Sequence, residues 1–168
     1  MDKLLDRPLY REESGKSKII SNILLEIEQS IRGSKQEKVK FINNGLTIEH
    51  LLPQNWYEHW PLNDEYVIAS DFNISLYAVM TEEDKNGKFH MIENRNKILH
   101  TIGNLTILTT SLNPSVSNSA FEIKKDALNL QSTVLLNTYF QNKTVWDEEE
   151  IRKRSKYLYN IIRQIWKY

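Results

Sequence analysis

Residues 46–54, Leu-Thr-Ile-Glu-His-Leu-Leu-Pro-Gln, constrain this chain more than any other stretch. The apolar and β-branched run 46–50 is too short for a helix and reads as a strand. Pro53 closes it, because proline carries no N–H with which to continue a ladder. Glu49 and His50 stand together at the strand's end, one an oxygen donor and the other a base near neutral pH. Neighbouring side chains on a regular strand point to opposite faces. For both to serve one site the chain must bend here, and Asn43-Asn44-Gly45 before the strand and Pro53 after it suit such a bend.

A second short strand is expected over Asn104–Thr109, within Gly103-Asn-Leu-Thr-Ile-Leu108. Asn113 follows nine residues beyond Asn104, in Leu112-Asn-Pro-Ser-Val-Ser-Asn118, which reads as a turn into a helix from about 118 to 130. Pro114 is tolerated there because early helical positions need no donor. Around these pieces the pattern is helical. Ile19, Ile20, Ile23, Leu24, Ile27 and Ile31 give a helix over 18–32, with Ser17 as N-cap and Gly33 as its stop.

A Lys-rich polar connector spans 33–45, and Asn55–Trp60 reads as a short helix ended by Pro61. Residues 61–100 read as an insertion between the strands, helical only at its end, Phe89–His100. A short helix is expected over 133–140. The final helix, 147–167, has Asp147 as N-cap, Glu150 at the third position and Trp146 facing Ile151 across the first turn. Its expected buried stripe is Ile151, Leu158, Ile162, Ile165 and Trp166. Glu148–Glu150 sit at the positive end of its dipole, and Arg163 and Lys167 at the negative end.

A length of 168 residues suits one domain able to bury its own core. Cysteine is absent, which excludes disulfides and Cys-ligated zinc and fits a cytoplasmic location. No run reaches the roughly 18 apolar residues of a membrane span, so no membrane partner is expected. Basic and acidic residues balance at 22 each. A free-standing nonspecific nucleic-acid binder would be basic, so any affinity for DNA must come from a local patch or another domain.

Two strands and a helix presenting Glu-His, Asn and Asn outline a single-metal phosphodiesterase site. In that arrangement His50 is the general base, Glu49 a carboxylate ligand and Asn113 a carbonyl ligand from the helix start. Hard oxygen donors favour Mg²⁺, with Mn²⁺ as a substitute, over zinc. Asn104 is expected to orient the His50 loop by hydrogen bonding more than to bind metal. Lys124 and Lys125 could meet the DNA backbone as point charges, although a solvated helix face is their default. Asn113 could instead cap a helix, as could Asn118, the third candidate for substrate contact. The basic run Arg152–Lys156 reads equally as a phosphate contact or a solvated face. His100, just before the second strand, could touch the site but reads first as a structural histidine; His59 and His90 read as surface or packing residues, and Trp56 and Trp60 as core, with base stacking as their alternative.

Taken together, Glu-His-Leu-Leu-Pro-Gln, Gly-Asn-Leu-Thr-Ile-Leu and Leu-Asn…Ser-Asn-Ser-Ala-Phe…Lys-Lys resemble the HNH, or ββα-metal, nucleases. More narrowly, the chain from about Tyr10 to its terminal Ile-Trp resembles the C-terminal nuclease domain of GmrSD-type modification-dependent restriction enzymes. The resemblance implies a mostly helical α+β fold, with helices surrounding a small ββα-metal core that holds a two-stranded antiparallel sheet. It implies one nuclease domain over 1–168, with the core at about 46–54 and 103–130 and an insertion at 61–100. It assigns metal binding to Glu49 and Asn113, the base to His50 and the middle Asn to Asn104.

Glu49 stands where many such enzymes have Asp, and Asn113 where many have His. The implied activity is phosphodiester hydrolysis in double-stranded, possibly base-modified DNA, as the cleavage module of an anti-phage restriction system. The implied partner is an N-terminal nucleotide-hydrolysing sensor domain or subunit, which would make this chain part of a larger enzyme. Two other readings stay open: a noncatalytic DNA-binding or partner-docking module on the same scaffold, and a nuclease acting on RNA.

Overall fold

The computed structural model describes residues 8–10, 16–33, 45–62, 81–82, 85–112 and 118–167. Helices α1 (Lys16–Arg32), α2 (His90–Ile98), α3 (Phe121–Gln131) and α4 (Glu148–Ile165) surround strands β1 (Leu46–His50) and β2 (Leu105–Thr109). Short 3₁₀ segments lie at Trp56–Glu58, Ile102–Asn104 and Leu135–Phe140. A mostly helical α+β fold with one two-stranded antiparallel sheet is what the sequence pattern led us to expect.

The sheet is short because its strands are. Leu46 pairs with Thr109 and His50 with Leu105, in unbroken antiparallel register. β2 is buried almost throughout. Leu105 and Ile107 join Ile20, Leu24 and Ile27 of α1 in one core, with Leu136 and Leu158. Leu108 belongs to a second core built around Trp56, Trp60, Phe121, Phe140 and Trp146. The period-2 alternation of the strand thus feeds two separate apolar clusters. Each fully buried Leu, Ile or Phe contributes roughly 1.5–3 kcal/mol. Trp56 and Trp60 are core residues, as expected, and their indole N–H groups donate to Asn96 Oδ1 and the Ser119 carbonyl. His59 and His90 lie on the surface.

Several expected boundaries moved. α1 begins at Lys16, so Ser17 is a helical residue and not the N-cap. Apolar periodicity marks the packed face of a helix and does not register exposed polar residues that precede it. At the other end Gly33 takes φ 64°, the left-handed stop that glycine adopts without strain. Asn104 belongs to the turn before β2, not to the strand. α3 starts at Phe121, and Asn118 does not cap it. An N-cap needs extended backbone, whereas Asn118 has φ 52°.

α4 keeps its expected start: Asp147 Oδ1 accepts the Glu150 N–H at 2.9 Å. Its stripe differs from expectation. Trp166 is 39% exposed, while Arg154 and Ser155 join Ile151 and Leu158 in the interior. Arg154 donates to the carbonyls of Gly103 and Leu105, and its guanidinium lies 4.6 Å from the centre of the Phe140 ring. The run 152–156 is therefore neither wholly a solvated face nor wholly available to phosphate. Its central cation is buried, and Lys153 is paired with Glu149 and Glu150.

The same contact explains Gly103. A Cβ there would collide with the Ile151 carbonyl and the Ser155 hydroxyl, so only glycine lets this turn lie against α4. The Gly103 N–H donates to Ser155 Oγ at 3.1 Å.

Candidate functional site

Glu49 and His50 are the last two residues of β1, and the chain bends immediately afterwards at Leu51-Leu52. Asn104 shapes that bend. Its Oδ1 accepts the Leu52 N–H at 2.8 Å and the Trp146 indole N–H at 3.1 Å. Its Nδ2 donates to the Leu52 and Leu99 carbonyls at 2.9 and 2.8 Å. A primary amide offers two donors and one acceptor oxygen with two lone pairs, and all four are taken. Asn104 is fully buried. It grips the loop after His50, the role the sequence suggested for it.

Glu49 and His50 both border one cavity of about 260 Å³, lined also by Pro53, Gln54, Asn55 and Asn118, although β1 stays in register through both and the chain bends only after them. Asn118 thus reaches the candidate site, from a left-handed turn and not from a helix start. Asn113, the expected second metal ligand, lies outside the described residues, as does half of the 61–100 insertion.

Lys124 departs most from expectation. It is fully buried, where a solvated helix face was its default. Its ammonium donates to Glu49 Oε1 at 2.6 Å and to the His50 carbonyl at 2.8 Å. An ammonium removed from water needs a carboxylate partner, and α3 crosses β1 where Glu49 supplies one. Burial pulls the Lys124 pKa below the usual lysine value, and Glu49 opposes that pull. Lys125 reaches the Lys143 carbonyl at 3.2 Å and lies over the Phe121 ring, away from this pair.

His50 is buried as well. Its Nε2 lies 3.1 Å from His100 Nδ1, and the edge of one ring faces the other. Tyr10 meets His50 edge-on with ring centres 4.8 Å apart, and stacks on His100 at 6.1 Å. Burial, then His100, then Lys124 lower the His50 pKa to about 3, so the imidazole is neutral around pH 7. A neutral imidazole is the form that can accept a proton, but a pKa this low makes His50 a weak base as it stands.

His100 thus touches His50, the alternative that its place before the second strand suggested beside a structural role. The antiparallel pairing of His50 with Leu105 brings the turn before residue 105 to the His50 end of the sheet. For Tyr10 no local signal exists.

Among the described residues no three His, Asp, Glu or Cys side chains cluster as a metal cage. An ion bound here would be held by one carboxylate with amide and water oxygens. That donor set fits a hard, strongly hydrated divalent cation and not zinc. Glu49 would be the carboxylate, shared with the Lys124 ammonium.

Residues 2–161, nearly the whole chain, match a family described as the C-terminal domain of GmrSD restriction endonucleases. The chain belongs to that family. It is therefore a restriction endonuclease module, and membership implies a DNA substrate. No curated protein and no solved structure shows a significant match. Among the described residues no helix is long and apolar enough to cross a membrane.

Proposed function

We propose that this domain is an HNH-type, Mg²⁺-dependent DNA endonuclease that hydrolyses phosphodiester bonds as the cleavage module of a modification-dependent, anti-phage restriction system. One observation carries the reading within the family: Glu49 and His50, adjacent on β1, both line the same cavity. His50 is the general base. As water oxygen bonds to phosphorus, a proton passes from the water to the imidazole. The bond from phosphorus to the leaving sugar oxygen breaks, and that oxygen takes up a proton from solvent.

Glu49, with Asn113, would hold the cation. A bound Mg²⁺ or Mn²⁺ would neutralise charge on the phosphate and the leaving oxygen. Asn104 fixes the backbone from which His50 projects. Asn118 lines the cavity where a DNA strand would lie, and Lys124 acts through Glu49 more than as a free phosphate contact. Lys125 remains a candidate for the DNA backbone. An N-terminal nucleotide-hydrolysing sensor domain or subunit would supply recognition and the affinity that a chain of zero net charge lacks.

The test is plasmid cleavage, modified and unmodified, by wild type and His50→Ala, with and without Mg²⁺ or Mn²⁺. Cleavage should require the ion and vanish in the variant. Full activity in His50→Ala would remove the base. A second reading has one observation behind it: the Lys124–Glu49 pair already satisfies part of the carboxylate that a cation needs. On that reading the domain is a noncatalytic DNA-binding or docking scaffold. DNA binding without ion-stimulated cleavage, even with the sensor restored, would favour it.

A further inference from the structure

The contact between the two histidines restricts what His50 can do. At 3.1 Å between His50 Nε2 and His100 Nδ1, one proton lies between the rings. Two arrangements satisfy the contact. If His100 donates from Nδ1, then His50 accepts at Nε2. A neutral His50 must then carry its own hydrogen on Nδ1, and neither of its nitrogens keeps a free lone pair. If His50 donates from Nε2, its Nδ1 is left bare and able to take a proton. Only the second arrangement leaves His50 a base.

We propose that His100 is a positioning residue: its Nδ1 accepts the His50 Nε2–H, locks His50 in the tautomer with a bare Nδ1, and so names Nδ1 as the atom that receives the proton from water. The choice of tautomer, like its catalytic use, rests on the nuclease reading above; the contact between the two rings does not.

The neighbourhood is built to hold the pair. Asn104 clamps the Leu99 carbonyl beside His100. The His100 carbonyl accepts the Leu9 N–H at 2.9 Å and the Tyr10 N–H at 3.3 Å. Tyr10 then covers both rings, edge-on to one and stacked on the other. A histidine whose second nitrogen is tied down has a defined tautomer and ring orientation, which catalysis by an imidazole requires. Here a second imidazole supplies the tie, across 50 residues of sequence.

Histidine-labelled ¹⁵N NMR of the whole chain, near pH 7 and without metal, reads the tautomer directly. His50 is assigned by the signals lost in His50→Gln. The expected spectrum has His50 Nε2 in the protonated range and Nδ1 in the unprotonated range. A protonated Nδ1 in wild type would overturn the proposal, whatever the variants do.

His100→Phe removes the acceptor. It should mix the His50 tautomers and lower cleavage roughly tenfold or more, with little change in KM. His100→Asn offers an amide oxygen near the position of Nδ1. It should restore both the spectrum and most of the rate, which a merely space-filling role would not. Unchanged tautomer and rate in a folded His100→Phe would refute the positioning role. If the wild-type spectrum is as expected but no variant or wild type cleaves DNA, the pairing stands and the nuclease reading falls.

Discussion

Truncating Asn104 to alanine should cost far more than its small volume suggests. The side chain makes four hydrogen bonds in a fully buried position, to the Leu52 N–H, the Leu52 carbonyl, the Leu99 carbonyl and the Trp146 indole. Alanine leaves all four partners in place without a replacement. Each orphaned buried polar group costs about 1–3 kcal/mol. Because two of the four belong to one residue and relax together, the low end applies, giving a loss of about 4 kcal/mol for the set. In a chain of 168 residues, where each kcal/mol shifts Tm by about 2–4 °C, this corresponds to a fall of roughly 8–16 °C.

Urea denaturation followed by tryptophan fluorescence measures it. Asn104→Asp is the informative partner. It keeps an oxygen for the Leu52 N–H and Trp146 but turns a carboxylate toward two carbonyls. It should be at least as unstable as the alanine variant at pH 7. A loss below about 1 kcal/mol in Asn104→Ala would refute the reasoning, since the loop after His50 would then be held by something else.

Gly103→Ala should destabilise by about 1–3 kcal/mol, because its Cβ meets the Ile151 carbonyl and Ser155 on a packed helix; thermal denaturation checks this. Asp147→Ala should cost about 1 kcal/mol through loss of the α4 cap, while Asp147→Ser should recover most of it in the same assay. His50 makes stability depend on pH. Its folded pKa of about 3 lies below the unfolded 6.5, so the unfolded state binds more protons between those values. Stability from this group should be complete above about pH 6.5 and fall as pH drops toward 3, by up to roughly 5 kcal/mol. In His50→Asn the loss of stability between pH 7 and pH 4 should be correspondingly smaller; an identical acid profile would show that His50 is not desolvated.

The elements themselves were legible in the chain because their signals are local. Apolar spacing marked α1 and α4, Gly33 stopped the first, and Asp147 capped the last. Pro53 and the β-branched run at 46–50 marked β1. Each of these depends on residues within a turn or two of one another, so chain order carries them.

The environment of the candidate site was not legible, because nothing local sets it. Lys124 looked like any helix-face lysine until α3 laid its ammonium on Glu49, 75 residues earlier. Arg154 read as part of a basic run until the turn at Gly103 offered it two carbonyls in the core. His100 became the partner of His50 only through the sheet register and the turn that follows α2. A charged or titratable side chain takes its chemistry from what surrounds it at 3 Å, and only tertiary packing decides which distant residues those are.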